Sequence, residues 1–175
     1  MLNEHFMELA LNQAKIAFAN GEFPVGCVIV QGQEVVATGA RKGTAPGKSF
    51  VSEIDHAEIR ALKSLESLDL EFVPEKSIVF CTMEPCLMCF AAILLAGIKK
   101  IVFAYEDPMG GGTACDLSLM TPLYKNAKIE IISGVLREKS LDLFYDFFNK
   151  EANFYWKDSF LETYTLEQKR SSPEK

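Results

Sequence analysis

The chain contains 175 residues, of which 49% are hydrophobic and 24% are charged, and it carries a formal net charge of −6 at pH 7. This composition is that of an ordinary globular protein, and the length suits one domain with a single core. The acidic charge argues against a broad nucleic-acid-binding surface, which is normally basic, although it leaves room for a local phosphate site.

The compartment is indicated by features that the sequence lacks. No apolar run approaches the ~18 residues of a membrane span. The first residues show neither a basic segment nor the apolar core of a signal peptide. The cysteines are scattered, without the pattern of a disulfide framework. We therefore expect a cytoplasmic protein with no membrane partner.

The first part of the chain predicts a helix followed by a β-hairpin. Apolar residues recur at helical spacing through residues 2–19, and Gly21 ends this segment. Residues 25–30 and 34–38 are β-rich runs on either side of Gln31-Gly32-Gln33, which is a hairpin signal. A loop then leads into a predicted helix from His56 to about residue 68.

The rest of the chain alternates strands with helices. The pattern predicts strands at residues 77–81, 100–104 and 128–132, helices at 85–96 and 136–149, and a glycine-rich loop at 107–118. Such alternation after a hairpin predicts an α/β protein, a three-layer α/β/α sandwich around a five-stranded mixed sheet. The nearly continuous apolar runs of the strands fit a sheet that is covered on both faces.

The C-terminal part is rich in aromatic residues. Nine of them lie between residues 144 and 164. Packing of the last helices is the interpretation that we favour for most of these rings, and stacking on a planar substrate is the alternative for some. We expect residues 1–150 to form the main domain and residues 151–175 to form a helical extension or tail.

Two short motifs carry the strongest chemical signal. They are His56-Ala57-Glu58 and Pro85-Cys86-Leu87-Met88-Cys89. One histidine and two cysteines supply the three protein ligands of a catalytic zinc ion, which keeps a fourth position open for water. The pattern H-x-E followed by P-C-x-x-C is the signature of the zinc-dependent base deaminases, with the glutamate as proton carrier.

Each motif taken alone has a plainer interpretation. Asp55 and Glu58 are spaced as a pair that caps a helix start. Cys86 and Cys89 are spaced as a redox dithiol, or as two buried thiols on one helix face. The occurrence of both motifs in this order favours a catalytic zinc over these alternatives.

The spacing also constrains the geometry of the site. Cys86 and Cys89 share a helix face, and Pro85 suits the first position of that helix. His56 and Glu58 are two residues apart and do not share the side of a helix. The site therefore requires two helix N-termini that point at one metal ion, and these termini favour the metal-binding thiolates.

Several further segments carry a resemblance to a known family. Together with the two motifs, Phe23-Pro24-Val25-Gly26, Met83-Glu84, Ile101-Val102-Phe103, Asp107 and the helix that ends in Phe147-Phe148 resemble, in order, the cytidine deaminase-like superfamily. Within it the chain looks most like the tRNA-specific adenosine deaminases, with bacterial guanine and cytosine deaminases as neighbours. The resemblance covers roughly residues 3–150.

The resemblance implies a role for each matching residue. His56, Cys86 and Cys89 would hold one zinc ion per chain, and Glu58 would be the catalytic proton shuttle. It also implies a homodimer and a fold of the cytidine deaminase type. In such a mechanism, backbone N–H groups of Ala57 or Cys86 would steady the polarised intermediate.

The same resemblance implies a set of substrate contacts. Pro24 and Val25 would line the pocket for the base, and Asp107 would lie near the ribose of a nucleoside. Phe147 or Phe148 would border the base. The zinc ion would lower the pKa of its bound water toward ~7.

Three departures from the family pattern concern the substrate. Arg41 stands where the tRNA enzymes carry an asparagine that contacts the base, residues 52–55 differ from the usual run before the histidine, and Glu106 replaces a basic residue that is frequent there. The loop through Lys42 and Lys48 is basic, and it is either a solvated loop or a phosphate contact.

Three functions remain open at this point. The first is deamination of adenosine to inosine in the anticodon loop of tRNA. The second is deamination of a free base, nucleoside or nucleotide such as guanine or cytosine, which the acidic charge and Arg41 favour. The third is a non-catalytic binding module that zinc stabilises, and this function leaves Glu58 without a role.

Overall fold

A five-stranded mixed sheet forms the centre of the molecule. The computed structural model describes residues 2–47, 49–66 and 71–171. The strand order is β2-β1-β3-β4-β5, in which β2, β1 and β3 run antiparallel and β3, β4 and β5 run parallel. The strands are β1 (Gly26–Gln31), β2 (Glu34–Ala40), β3 (Ser77–Met83), β4 (Lys100–Tyr105) and β5 (Glu130–Ile132). The predicted α/β class and five-stranded mixed sheet are confirmed.

Six α-helices accompany the sheet in the described part of the chain. They are α1 (Leu2–Ala19), α2 (Ala57–Leu65), α3 (Leu87–Leu95), α4 (Pro122–Lys125), α5 (Arg137–Phe148) and α6 (Phe160–Ser171). The predicted end of the second helix near residue 68 lies outside the described residues. None of the described helices combines the length and apolarity needed to cross a membrane.

Two hydrophobic clusters lie on opposite faces of the sheet, because successive side chains of a strand point to opposite sides. Cys27 and Ile29 of β1 belong to the cluster that includes residues of α2 and α3. Val28 and Val30, which alternate with them, belong to the cluster built on α1. The strands are therefore covered on both faces, as their continuous apolar sequences predicted.

A glycine sets the distance between α2 and the sheet. A Cβ added to Gly39 of β2 would lie 2.0 Å from the carbonyl oxygen of Ala57 and 2.7 Å from the backbone nitrogen of Ala61. Both contacts are with helix backbone, which cannot move aside as a flexible side chain can. Gly39 therefore permits the close approach that seats α2, whose first turn carries Ala57 and Glu58.

The C-terminal extension forms a separate helix, α6, that packs near the end of β4. The Tyr105 hydroxyl lies 3.1 Å from the Thr165 hydroxyl, and Tyr164 donates a hydrogen bond of 2.7 Å to Glu106. Arg137 of α5 also pairs with Glu106. Burial alone would raise the pKa of Glu106, but the hydrogen bonds from Arg137 and Tyr164 outweigh it and lower that pKa.

The start of α3 differs from the sequence prediction. The helix begins at Leu87, and Cys86 is its N-cap residue with an extended backbone. Pro85 therefore precedes the helix instead of occupying its first position, because the chain is still extended when it leaves β3. This shift of two residues places the first cysteine at the mouth of the helix.

Candidate metal centre

The starts of two helices meet at the candidate site. His56 is the N-cap residue of α2 and Cys86 is the N-cap residue of α3, and neither makes a side-chain capping hydrogen bond. Cys89 lies in the first turn of α3 and is fully buried. The positive ends of both helix dipoles thus face the three side chains, which favours thiolate over thiol. The predicted convergence of two helix N-termini is confirmed.

The ligand atoms are spaced for one zinc ion. His56 Nδ1 lies 3.5 Å from Cys86 Sγ and 3.5 Å from Cys89 Sγ, and the three atoms all lie within 4.8 Å of one another. A nitrogen and a sulfur ligand on one tetrahedral zinc are about 3.6 Å apart, given the usual bond lengths. One imidazole and two thiolates also match the donor set that zinc prefers. The residues therefore fit the predicted cofactor.

The protonation of the cluster prepares it for a cation. The hydrogen bond from Cys89 lowers the pKa of Cys86 to about 4, with a smaller contribution from His56. Hydrogen bonding to Cys86 and burial raise the pKa of Cys89 instead. A metal ion binds thiols in their deprotonated form, so its binding would release protons from the cluster.

Glu58 is the second residue of α2 and does not act as a capping residue. Asp55 precedes the N-cap, and its carboxylate accepts a hydrogen bond of 2.9 Å from Ser52. Glu58 is 3% exposed, and its Oε2 atom has no hydrogen-bond partner in the part of the chain that the structure describes. Burial raises the pKa of this carboxyl. A buried carboxylate oxygen without a partner is costly for folding, so it indicates a chemical role.

A cavity connects the metal centre to several of the predicted substrate residues. We call it the catalytic cavity, and its walls consist of Val25, Arg41, His56, Ala57, Glu58, Met83, Glu84, Cys86 and Asp107. The fold thus brings Val25, Arg41, Ala57 and Asp107 to the metal cluster from separate parts of the chain. Their contacts with a substrate stay predictions.

Three other predicted residues do not line this cavity. Pro24 is buried, and its two neighbours in the sequence belong to the hydrophobic core. Phe147 and Phe148 are 3% and 7% exposed and pack against Phe23, with ring centroids 5.3 Å and 6.2 Å from it. Their apolar rings are covered by other core residues in this chain. The structure therefore places them in packing, and their predicted contact with a base stays a prediction.

Arg41 is held in place by the loop that follows β2. Its guanidinium donates hydrogen bonds to the carbonyl oxygens of Lys42 at 3.0 Å and Ser52 at 2.7 Å. It also donates to the Tyr155 hydroxyl at 3.3 Å and lies 3.5 Å from Glu53. Arg41 is only 3% exposed, and it forms part of the wall of the catalytic cavity. Lys48 of the predicted basic loop lies outside the described residues.

Glu84 is a structural residue of the site whose role the sequence did not indicate. Its carboxylate accepts hydrogen bonds from the backbone nitrogens of Asp107 and Thr113, both at 3.2 Å. Gly112 donates to the carbonyl oxygen of Pro85 at 2.9 Å. The glycine-rich loop is thereby fastened to the turn that carries Cys86. The only signal in the sequence is the position of Glu84 directly before Pro85-Cys86.

Asp107 caps its own loop. Its Oδ1 atom accepts hydrogen bonds from the backbone nitrogens of Met109 at 3.0 Å and Gly110 at 2.9 Å. Burial raises the pKa of Asp107, and these two hydrogen bonds oppose that change. One carboxylate oxygen is therefore engaged by the loop, while the side chain forms part of the wall of the catalytic cavity.

Tyr155 belongs to the C-terminal extension and reaches the catalytic cavity through Arg41. Its hydroxyl accepts the bond from Arg41 and donates to Glu53 at 2.9 Å. Its ring lies 5.3 Å from the ring of Phe23. This contact joins residues that are 114 positions apart, so no local sequence pattern announces it.

Comparisons with known proteins agree with this geometry. Residues 1–105 match the family model of the cytidine and deoxycytidylate deaminase zinc-binding region. The chain is 32% identical over 152 residues to the tRNA-specific adenosine deaminase of Bacillus subtilis strain 168, an alignment that covers 85% of this chain and 89% of that protein. It is 31% identical over 154 residues to the same enzyme of Aquifex aeolicus VF5, covering 87% and 98%.

Solved structures show the same architecture. A structure from studies of A-to-I editing by tRNA:A34 deaminases at the wobble position of transfer RNA aligns with a TM-score of 0.65 and 31% identity. That alignment covers 79% of this chain and 98% of the other. The guanine deaminase of Nitrosomonas europaea aligns with a TM-score of 0.62 and 20% identity over 82% and 83%, a likeness of fold alone.

Proposed function

Because this chain belongs to the family of the cytidine and deoxycytidylate deaminase zinc-binding domains, we propose that it deaminates adenosine to inosine in transfer RNA. As a member of that family it is a zinc-dependent hydrolase that acts on nucleobase amines. The observation that carries the proposed mechanism is the buried, unpartnered Oε2 atom of Glu58 in the same cavity as the metal ligands.

The metal chemistry falls to three residues. His56, Cys86 and Cys89 would hold the zinc ion, in line with their mutual spacing. When bound, zinc lowers the pKa of a coordinated water from 15.7 toward ~7 and so makes it a nucleophile at neutral pH.

Glu58 would move the protons of the reaction. Its carboxylate accepts a proton from the attacking water and delivers it to the ring nitrogen beside the reacting carbon. The hydroxyl group that the ring carbon has gained gives up a second proton, which Glu58 passes to the amine; the C–N bond then breaks, ammonia leaves, and the ring carbon keeps the oxygen of the water as a carbonyl. Burial raises the pKa of Glu58, which brings it closer to neutral pH and suits a group that must both accept and donate.

The backbone of the two helix starts would steady the intermediate. Ala57 is the first residue of α2, and its N–H group is one of the four that have no acceptor within the helix. A preorganised N–H group of this kind stabilises developing negative charge. The wall position of Ala57 in the catalytic cavity supports this role.

The choice of transfer RNA is supported by the relatives, which are named as tRNA-specific adenosine deaminases and match most of this chain. Asp107 would then lie near the ribose of the reacting nucleotide, and Val25 with Pro24 near the base. The substrate and the role of each of these residues are parts of the proposal.

A second candidate substrate is a free base such as guanine. Arg41 favours it, because a guanidinium only donates hydrogen bonds, whereas an asparagine amide both donates and accepts. A ring carbonyl would satisfy such a donor. The net charge of −6 is also unusual for a protein that binds RNA.

We also propose a homodimer in the cytoplasm. Leu87 and Met88, in the first turn of α3 beside Cys86, are 53% and 37% exposed, and a partner subunit would cover them. All five cysteines are free thiols, in keeping with a reducing compartment. Sedimentation analysis of wild-type protein and a Leu87→Lys variant tests the dimer: the variant should be monomeric, and an unchanged mass would contradict this interface.

The substrate is tested by offering the zinc-loaded protein an anticodon stem–loop RNA, free adenosine, guanine and cytosine in parallel. Ammonia release and product identity by mass spectrometry are the two readouts. We expect inosine in the RNA and little turnover of the free compounds. Rapid turnover of guanine, with no inosine formed in any RNA, would show that the substrate is the free base and not transfer RNA.

A further inference from the structure

A second recess, which we call the aromatic recess, is linked to the catalytic cavity by a contact between their wall residues Tyr155 and Arg41. It has a volume of about 410 Å³ and lies between the loop after β2 and the segment that follows α5. Pro46 and Val51 form one side, and Phe154, Tyr155 and Trp156 form the other. Its volume is within the range of sites that bind small organic molecules, ~300–1,000 Å³.

The walls of the aromatic recess are suited to a flat ring. Phe154 is 75% exposed and Trp156 is 41% exposed, so both leave aromatic surface open to solvent. Single exposed apolar residues are common on protein surfaces, but three consecutive aromatic residues on one recess are not. The backbone of Trp156 has a φ angle of 55°, which bulky residues rarely adopt.

Tyr155 connects the aromatic recess with the catalytic cavity. Tyr155 and Glu53 line the recess, Arg41 lines the catalytic cavity, and hydrogen bonds of 2.9 Å and 3.3 Å join them through the Tyr155 hydroxyl. This bonded group of side chains thus links a wall of the recess to a wall of the catalytic cavity. A ligand that reacts in the cavity can therefore place a neighbouring part of itself in the recess.

A basic groove lies next to both spaces. Arg41, Lys42 and Arg60 line it together with the buried Glu22, and it shares Ala45 with the aromatic recess. The Nε atom of Arg60 is buried and has no hydrogen-bond partner among the described residues. The Glu22 carboxylate is engaged by the backbone nitrogens of Thr44 and Ala45, so an anionic group in this groove would face Lys42 and Arg60. A phosphate that links two nucleotides is such a group.

We propose that the aromatic recess binds the base of the nucleotide next to the reacting one, stacked on Phe154 and Trp156, while the linking phosphate faces Lys42 and Arg60. This inference rests on the proposed action on RNA. It assigns recognition of a neighbouring base to the C-terminal extension. A free base has no second ring and leaves the recess empty.

Trp156 provides an internal probe, since it is the only tryptophan of the chain. The zinc-loaded full-length protein is titrated with a short single-stranded RNA that contains one adenosine, with free adenosine and with inorganic phosphate, while tryptophan fluorescence is recorded. We expect quenching by the RNA and none by adenosine or phosphate. This readout depends on stacking and needs no turnover.

Two matched variants identify the recess as the site. Phe154→Ala removes an exposed wall residue and leaves Trp156 in place. It should weaken RNA binding by about 5- to 150-fold, which corresponds to the loss of stacking on one base. Phe50→Ala removes a ring that is equally exposed, 77%, but does not line the recess. Binding by Phe50→Ala should equal that of the wild type.

Each contrary result has a distinct meaning. If inosine forms without fluorescence quenching, and if Phe154→Ala is as active as the wild type, the recess does not bind the neighbouring base. The proposed function would remain intact. Quenching by RNA without any inosine would overturn the proposed function and keep the recess. Fluorescence that changes with protein concentration in the absence of RNA would show that a second copy of the chain occupies the recess, and would also overturn the inference.

Discussion

At the scale of single residues, the position of Glu58 in α2 brings a proton-carrying carboxylate into the catalytic cavity. As the second residue of α2 it is close to His56 in sequence, yet it leaves the helix on a different side and reaches the catalytic cavity. Its buried Oε2 atom lacks a hydrogen bond, which a residue of purely structural value would not retain.

The change Glu58→Gln separates these roles. It preserves size and removes the proton-carrying function, so ammonia release should fall by about 10²- to 10⁴-fold. Zinc content and thermal stability should stay close to wild-type values, since Glu58 is not among the clustered ligands. Elemental analysis and steady-state kinetics measure both. A variant that retains wild-type turnover would show that Glu58 carries no proton.

Tyr155→Phe tests whether the C-terminal extension positions Arg41. The substitution keeps the ring on Phe23 and removes the hydroxyl that bridges Arg41 and Glu53. Loss of the hydrogen bond to Arg41, one of the two that this hydroxyl makes, should raise KM by roughly 2- to 12-fold and leave kcat nearly unchanged. Tyr145→Phe, which takes no part in these contacts, is the control. Equal KM values for the two variants would contradict the positioning role.

At the scale of elements, the metal centre depends on where two helices begin. β2 and α2 approach so closely that there is no room for a Cβ atom at Gly39. α3 begins after an extended turn that Glu84 and the glycine-rich loop hold in place. The positions of His56 and Cys86 are therefore set by packing between elements, and they would shift if either helix moved along the sheet.

Gly39→Ala should displace α2. The added Cβ would meet the backbone of Ala57 at 2.0 Å, so we expect a loss in the free energy of unfolding of about 3 kcal/mol or more, with reduced zinc content. Gly32→Ala is the control: its Cβ meets nothing within 4 Å, and its φ of 65° costs only about 1 kcal/mol. Urea unfolding measures both. Equal losses for the two variants would argue against a close approach.

The two motifs predicted the metal centre well because metal chemistry restricts both residue type and spacing. His56, Cys86 and Cys89 were identified for this reason, and nearly continuous apolar runs between helical segments identified the sheet. The contact between Arg41 and Tyr155 could not be predicted, because it depends on how distant segments fold together. Phe147 and Phe148 show a related limit: an apolar sequence does not distinguish a ring in the core from a ring on a pocket wall.

At the scale of the whole molecule, one ionic cluster holds α6 against the elements that precede it. Glu106 follows β4, Arg137 begins α5 and Tyr164 lies in α6, so their hydrogen bonds link three elements. The segment before α6 in turn supplies Tyr155, which bonds Arg41 in the wall of the catalytic cavity. Loosening of α6 is therefore expected to affect the site as well as stability.

Glu106→Gln should cost about 1 kcal/mol near pH 7, a value reduced by the partial exposure of the pair. The pKa of Glu106 is lowered in the folded protein, so its contribution is fully present above the unfolded pKa of about 4.3. It is lost as the pH falls through the lower folded-state value. The difference between wild type and variant in urea unfolding should thus shrink on acidification.

The control for this prediction is Glu130→Gln, which removes the exposed carboxylate of the Lys100–Glu130 pair. That side chain is 59% exposed, so its loss should change stability by less than the loss of Glu106. A difference between wild type and Glu106→Gln that grows on acidification would reverse the expected sign and reject this account of the ionic cluster.

The most direct test of the central claim is ammonia release by the chelated and zinc-reconstituted protein, acting on the substrate found in the panel above. Removal of zinc should abolish release, and one zinc per chain should restore it in the wild type. The double variant Cys86→Ser, Cys89→Ser should bind no zinc and stay inactive. Release that persists without zinc, or that zinc restores in the double variant, would contradict a catalytic centre built on His56, Cys86 and Cys89.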